Sequence, residues 1–138
     1  MRKTLYRFCA VSLDCLGLFL YLVRMYVQIG TIVLKAAVPT TAEGKRKGMM
    51  GRRFDSDFNC MVFAFDDDRQ SFWMKGCIIP LDMIFVKDGV VTSIAHMCPP
   101  CTMDPCPSYK GVGQQVIEVE GGVCRNLGIG IGDRVRYY

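Results

Sequence analysis

Asp88-Gly89 stands between two apolar, largely β-branched or aromatic runs, residues 83–87 and 90–95. An Asp-Gly pair accommodates the two positive φ angles of a type I′ turn, the tight link between antiparallel strands. The pair therefore predicts a hairpin, and a hairpin needs further strands to bury its face. The rest of the chain supplies them. Residues 31–37, 61–65, 71–75, 116–120 and 133–138 are short runs rich in Val, Ile, Phe or Tyr, bounded by Gly, Pro or Asp; such runs read as strands. Thr40-Thr41-Ala42-Glu43 has the spacing of a capping box with Thr40 as the cap. It predicts a short helix through Lys47, ended by Gly48 in a left-handed conformation. A second brief helix is expected over residues 123–127, and residues 97–113, dominated by Pro, Cys, Met and Gly, are expected to form a loop. The fold class is mainly β: a small compact antiparallel barrel or sandwich with one or two short helices.

A chain of 138 residues suits one domain with a sizeable core. With 51% apolar and 22% charged residues it is neither a disordered tail nor a polytopic membrane protein. Its charge is uneven: residues 1–53 hold 10 Lys/Arg against Asp14 and Glu43, whereas residues 54–138 hold 7 against 11 Asp/Glu. A uniformly basic nucleic-acid binder does not look like this, and nucleic acid is not an expected partner. Residues 1–29 differ in character from the rest. Arg2 and Lys3 precede an apolar stretch, interrupted by Asp14 and closed by Arg24. Its unbroken part is too short to span a bilayer. An export signal or lipid-facing anchor fits, with membrane contact through residues 1–24 and an exported or membrane-associated location; an amphipathic helix packed on the domain or on a partner is the alternative. The domain proper is expected at residues 30–138.

Three constellations carry chemical potential. His96, Cys98, Cys101 and Cys106 offer one imidazole and three thiols within eleven residues, a donor set suited to zinc. There is no second C-x-x-C knuckle, so no resident cofactor is expected, and a Cys101–Cys106 disulfide or free thiols compete with metal. In the second constellation, Trp73 and Lys75 share one face of a strand by alternation, and Asp82, entering the next hairpin, is placed to pair with Lys75. Such a group holds small polar ligands; alternatively Trp73 plugs the core and the ion pair locks the register. Third, Lys45, Arg46 and Lys47 with Arg52 and Arg53 can hold an anion, but a run of charges on a short helix reads first as a solvated face. Nothing has the pattern of a Ser-His-Asp triad or a phosphate loop.

Residues 72–85, Phe-Trp-Met-Lys-Gly-Cys-Ile-Ile-Pro-Leu-Asp-Met-Ile-Phe, resemble the F-W-M-K-N-T-x-I-P-L-D-I-I-F signature of the DUF192 (UPF0127) family. Other pieces follow in family order. Glu43 to Arg52 is similar to E-x-x-x-x-G-L-M-G-R, Cys60 to Phe65 to G-M-L-F-x-F, and Pro100 to Tyr109 to P-C-x-x-x-P-C-P-x-Y; residues 116–122 and Gly132-Asp133 close the match. The resemblance covers residues 32–137 and implies a compact β-rich fold. It brings no settled biochemical function, although many members carry an export signal in the place of residues 1–29. Three departures cluster. Cys60 stands where the family has Gly, Cys77 where it has Thr, and Gly76 where it has Asn. Cys60 and Cys77 are therefore expected on neighbouring strands with their sulfurs in reach of one another.

The leading expectation is a binding or interaction module with a small polar-ligand cleft at Trp73, Lys75 and Asp82, its partner a small molecule or a protein. Its rivals are a metal-assisted hydrolase using Asp82 with the His96/Cys cluster, and a structural component of a larger assembly such as a virus particle.

Overall fold

The computed structural model describes residues 22–138. The apolar segment of residues 1–21, with the expected signal or anchor, lies outside them. The chain forms β1 (Leu22–Ile29), β2 (Ile32–Pro39), α1 (Ala42–Lys47), β3 (Cys60–Ala64), β4 (Arg69–Trp73), β5 (Leu81–Lys87), β6 (Val90–Cys98), β7 (Ser108–Val112), β8 (Gln115–Glu120), α2 (Val123–Leu127) and β9 (Val135–Tyr137). Seven strands make one sheet in the order β6-β5-β8-β3-β2-β1-β9, and β4 pairs with β7 in a separate ribbon. All pairings are antiparallel except β2 with β3, where Ala36 meets Cys60 in parallel.

The sheet curls until its ends touch. Val91 N–H donates to Asp133 O (3.0 Å), Gly132 N–H to Val91 O (2.9 Å) and Val135 N–H to Gly89 O (2.8 Å). These bonds tie the β5–β6 turn to the chain entering β9 and protect what are otherwise exposed edges. The turn itself has the expected form, with φ of 50° at Asp88 and 73° at Gly89.

Strand alternation sorts the apolar residues into two cores. Val27, Ile29, Leu34, Val62, Ile84, Ile117 and Val135 belong to a cluster fed by the main-sheet strands and lie inside the curl. Met61, Phe63, Met83, Phe85 and Val116 emerge on the opposite face, in a second cluster beneath the ribbon. Both faces of β3, β5 and β8 are thus buried. That explains why those strands read as near-continuous apolar runs rather than as alternating ones. The ribbon settles closely because β7 places Gly111 over Phe85. A Cβ at Gly111 would stand 2.2 Å from Phe85 Cγ, well inside contact distance.

Three details depart from expectation. The sheet starts at Leu22, ahead of the boundary at residue 30, because residues 22–29 pair along their whole length with β2. The apolar Leu-Val and Tyr-Val steps there continue the composition of the preceding segment, which hides the strand. The helix cap is Thr41, not Thr40: its hydroxyl accepts from Gly44 N–H at 2.9 Å. The stretch 97–113 is not all loop, since residues 108–112 form β7 and pair Tyr109 with Phe72. No helix among the described residues is long and apolar enough to cross a membrane.

Candidate functional site

A cleft of about 230 Å³ opens between α1 and the ribbon. Its near wall is α1 and the turn after it. Gly48, at φ 45°, swings the chain back over Phe63, whose ring would lie 3.2 Å from a Cβ at that position. Met49 is then buried, and Met50 forms a β-bridge with Cys77. Gly51 N–H donates to Gly76 O at 2.8 Å, so the residues after α1 are fastened to the segment leaving β4. The far wall is β4. Phe72 meets Phe63 and Phe65 edge-to-face, with centroids 5.2 and 5.8 Å apart, a favoured aromatic geometry.

Lysines cover the aromatic faces at the rim. Lys45 Nζ lies 5.2 Å from the Phe65 centroid and donates to Ala64 O at 2.6 Å. Lys75 Nζ lies 5.1 Å from the Trp73 centroid. Arg46 and Lys47 complete a basic margin.

At the inner end is Glu118. It comes from β8 on the outer face of the sheet, with Met61 of β3 and Met83 of β5 as its direct cross-strand neighbours. The residue is 4% exposed, and its Oε2 has no hydrogen-bond partner. Burial pushes its carboxyl up to about 8, since desolvation penalises the charged form. At neutral pH Glu118 is therefore mostly a neutral acid, able to donate a hydrogen bond.

Sequence reasoning places two of its three cleft residues here. Trp73 and Lys75 share a face as alternation requires, and both line the cleft. Asp82 does not. It is 0% exposed and accepts from Met97 N–H (2.8 Å), from Gly122 N–H (3.1 Å to each oxygen) and from Cys124 N–H (3.0 Å). Burial alone would raise its pKa; the amides of Met97, Cys124 and Gly122 outweigh that and hold it below the ordinary value. Asp82 is a structural clasp between β5, β6 and the start of α2, and Lys75 has turned to Trp73 instead.

The cysteine expectations divide. Cys101 and Cys106 are disulfide-bonded with Cα atoms 5.9 Å apart. Cys60 and Cys77 are both free and lie apart: Cys60 belongs to the inner core, whereas Cys77 packs against the outer one. They sit on opposite faces of the sheet, so the expected contact does not form. The His96, Cys98, Cys101, Cys106 set is not assembled either. Two of its thiols are spent on each other, Cys98 is buried in the outer core, and no group of three or more His, Cys, Asp or Glu among the described residues is placed to hold a metal. Burial pushes the Cys60 and Cys124 thiols up to about 12 and Cys77 and Cys98 up to about 11, which leaves them poor nucleophiles at neutral pH.

Of the basic run, for which the sequence supports either an anion site or a solvated face, Lys45, Arg46 and Lys47 line the cleft margin, and Arg52 and Arg53 do not. Glu118 went unread, although it carried a signal in plain view, as the one charge within the apolar residues 116–119.

The curled sheet, its ribbon and this cleft define a small half-barrel β domain. The chain belongs to the DUF192 family, described as uncharacterized ACR, whose family model matches residues 25–137. Two solved structures are similar. A protein of unknown function from Novosphingobium aromaticivorans DSM 12444 is 30% identical, with a TM-score of 0.73 over 93% of each chain. A proposed transcription regulator from Sinorhizobium meliloti 1021 is 25% identical, with a TM-score of 0.73 over 83% of this chain and 93% of the other. No curated protein matches the chain.

Proposed function

We propose that this domain is a small-molecule binding module and that its site is the cleft between α1 and β4. One observation carries the reading: Glu118 is buried, its Oε2 has no hydrogen-bond partner, and the residue lines a cavity with a basic margin. Unpaired buried polar groups are rare because each costs about 1–3 kcal/mol. A fold retains one most readily where a bound molecule completes it. The walls fit the same role, since apolar and aromatic lining with few convergent polar groups is the usual make-up of a ligand site. Asp82 takes no part in binding; it holds the frame.

The test is a fragment screen on the isotopically labelled full chain, using small carboxylic acids, amines, sugars and nucleosides, read by amide chemical shifts. Binding in the cleft moves residues of α1, β4 and the neighbourhood of Glu118 together. Fragments that bind only elsewhere, with those amides still, would remove the proposal.

A further inference from the structure

We infer that the cleft takes a small organic monocarboxylate with an aromatic or branched aliphatic body, one carboxylate oxygen accepting a hydrogen bond from Glu118 and its charge facing Lys45, Lys47 and Lys75. This rests on the cleft being a binding site and adds the class of ligand.

The first ground is the sign of charge. Four basic side chains, Lys45, Arg46, Lys47 and Lys75, line the cleft, and Glu118 is its one acidic residue. Such a margin draws anions and repels cations. The second ground is that the places a ligand cation would occupy are filled. An ammonium group is best received over an aromatic face, but Lys45 already lies over Phe65 and Lys75 over Trp73. The third is what faces Glu118. Met61 and Met83 flank it in the sheet. The titratable groups that feel its charge are the thiols of Cys77, after β4, and Cys98, on β6, and burial keeps both neutral. No hydrogen-bond donor reaches Oε2. The group is suited to remain protonated and to donate, and a carboxylate oxygen is the strongest small acceptor to offer it. The body of the ligand follows from the apolar lining that the lysines leave uncovered, Met49, Met50, Phe63 and Phe72, and about 230 Å³ suits a molecule below drug size. Phosphate fits poorly, because a dianion lacking an apolar body would leave that lining unused.

The experiment titrates the full chain with benzoate, 4-methylpentanoate, benzylamine and inorganic phosphate from pH 6.5 to 9.5, following the amides of α1 and β4. The two carboxylates should bind, and their Kd should weaken at least fivefold over that range as Glu118 ionises. In Glu118→Gln, whose amide still donates, carboxylate binding should persist with that pH dependence lost; the same spectra show whether the variant is folded. Benzylamine binding in the cleft while the carboxylates do not would overturn the ligand class and leave the binding module standing. Phosphate binding as tightly as benzoate, with no response to Glu118→Gln, would reduce the site to nonspecific attraction by the lysines and overturn the inference. Silence from every probe at these amides would count against both readings.

Discussion

Asp82 accepts the Gly122 amide through both of its carboxylate oxygens, at 3.1 Å each, across forty residues of chain. With the Met97 and Cys124 amides added, one buried side chain fixes the end of β6 and the start of α2 to β5. Asp82→Ala leaves three backbone donors without their acceptor, that of Cys124 in the interior and those of Met97 and Gly122 part-buried, and should destabilise the domain by about 3 kcal/mol, read as a lower urea midpoint at unchanged slope. The pH dependence has a definite sign. The folded state holds this carboxyl below its ordinary value, so the stabilisation is complete above the unfolded pKa of about 3.9 and is lost as pH falls through the lower folded value. The gap between wild type and Asp82→Ala should be constant near neutrality and close in acid. A gap that widens in acid contradicts the clasp.

Glu118 works in the opposite direction. Its folded pKa of about 8 lies above the roughly 4.3 of an unfolded glutamate. Its protonated form is favoured by folding, so stability is greatest below the unfolded value and declines as pH rises toward 8. The slope is at most about 1.4 kcal/mol per pH unit, and it flattens once both states are ionised. Glu118→Gln cannot ionise and should remove that decline. Urea midpoints at pH 5 and pH 8.5 measure it: the variant should gain on the wild type at the higher pH. Parallel behaviour at both would mean that Glu118 is ionised and paired in the folded protein.

Much of the architecture was legible because it depends on local chemistry. Asp88-Gly89 specified its turn, and period-two alternation placed Trp73 and Lys75 together. The Thr-rich start of α1 was visible, though two adjacent threonines left the cap ambiguous by one residue. What was hidden depends on which strands become neighbours. Asp82 alternates with Leu81 and Met83, which face the outer core; it therefore points away from that face and meets α2 rather than Lys75. Cys60 and Cys77 fail to meet for the same reason, since Cys60 faces inward. Residues 45–47 look solvated on an isolated helix, and only the return of the chain through Gly48 brings them over β4. Glu118 was the missed clue, because a charge inside a strand buried on both faces needs an explanation before any exposed residue does.

Gly111 is the price of laying the ribbon flat on the sheet. The Cβ of an alanine there would sit 2.2 Å from Phe85 Cγ and 2.3 Å from Cδ1, and Phe85, 1% exposed, has no room to retreat. Gly111→Ala should cost about 1–3 kcal/mol by overpacking. It should also lift β7, disturbing the Gln70–Gly111 and Phe72–Tyr109 pairs. Phe85→Leu in the same chain should recover part of the loss, a non-additivity that a double-mutant cycle reads directly. Strictly additive effects would show that the ribbon does not rest on Phe85.

The Cys101–Cys106 disulfide closes a short ring, so its stabilisation should fall below the ~3 kcal/mol of a 15-residue loop. Its position matters more than its energy. Cys101 N–H donates to Met74 O at 3.3 Å, and Cys101 bridges to Lys75 in parallel register, directly beside the cleft margin. The ring therefore stiffens the segment that presents Lys75 to Trp73. Cys101→Ser with Cys106→Ser should leave amide protection in β5 and β8 nearly unchanged and accelerate exchange across residues 99–107. Trp73 is the chain's one tryptophan, and its fluorescence should change as Lys75 loses its fixed seat over the ring. Exchange and fluorescence both identical to wild type would mean that the backbone bond from Cys101 to Met74 holds the segment without help from the disulfide.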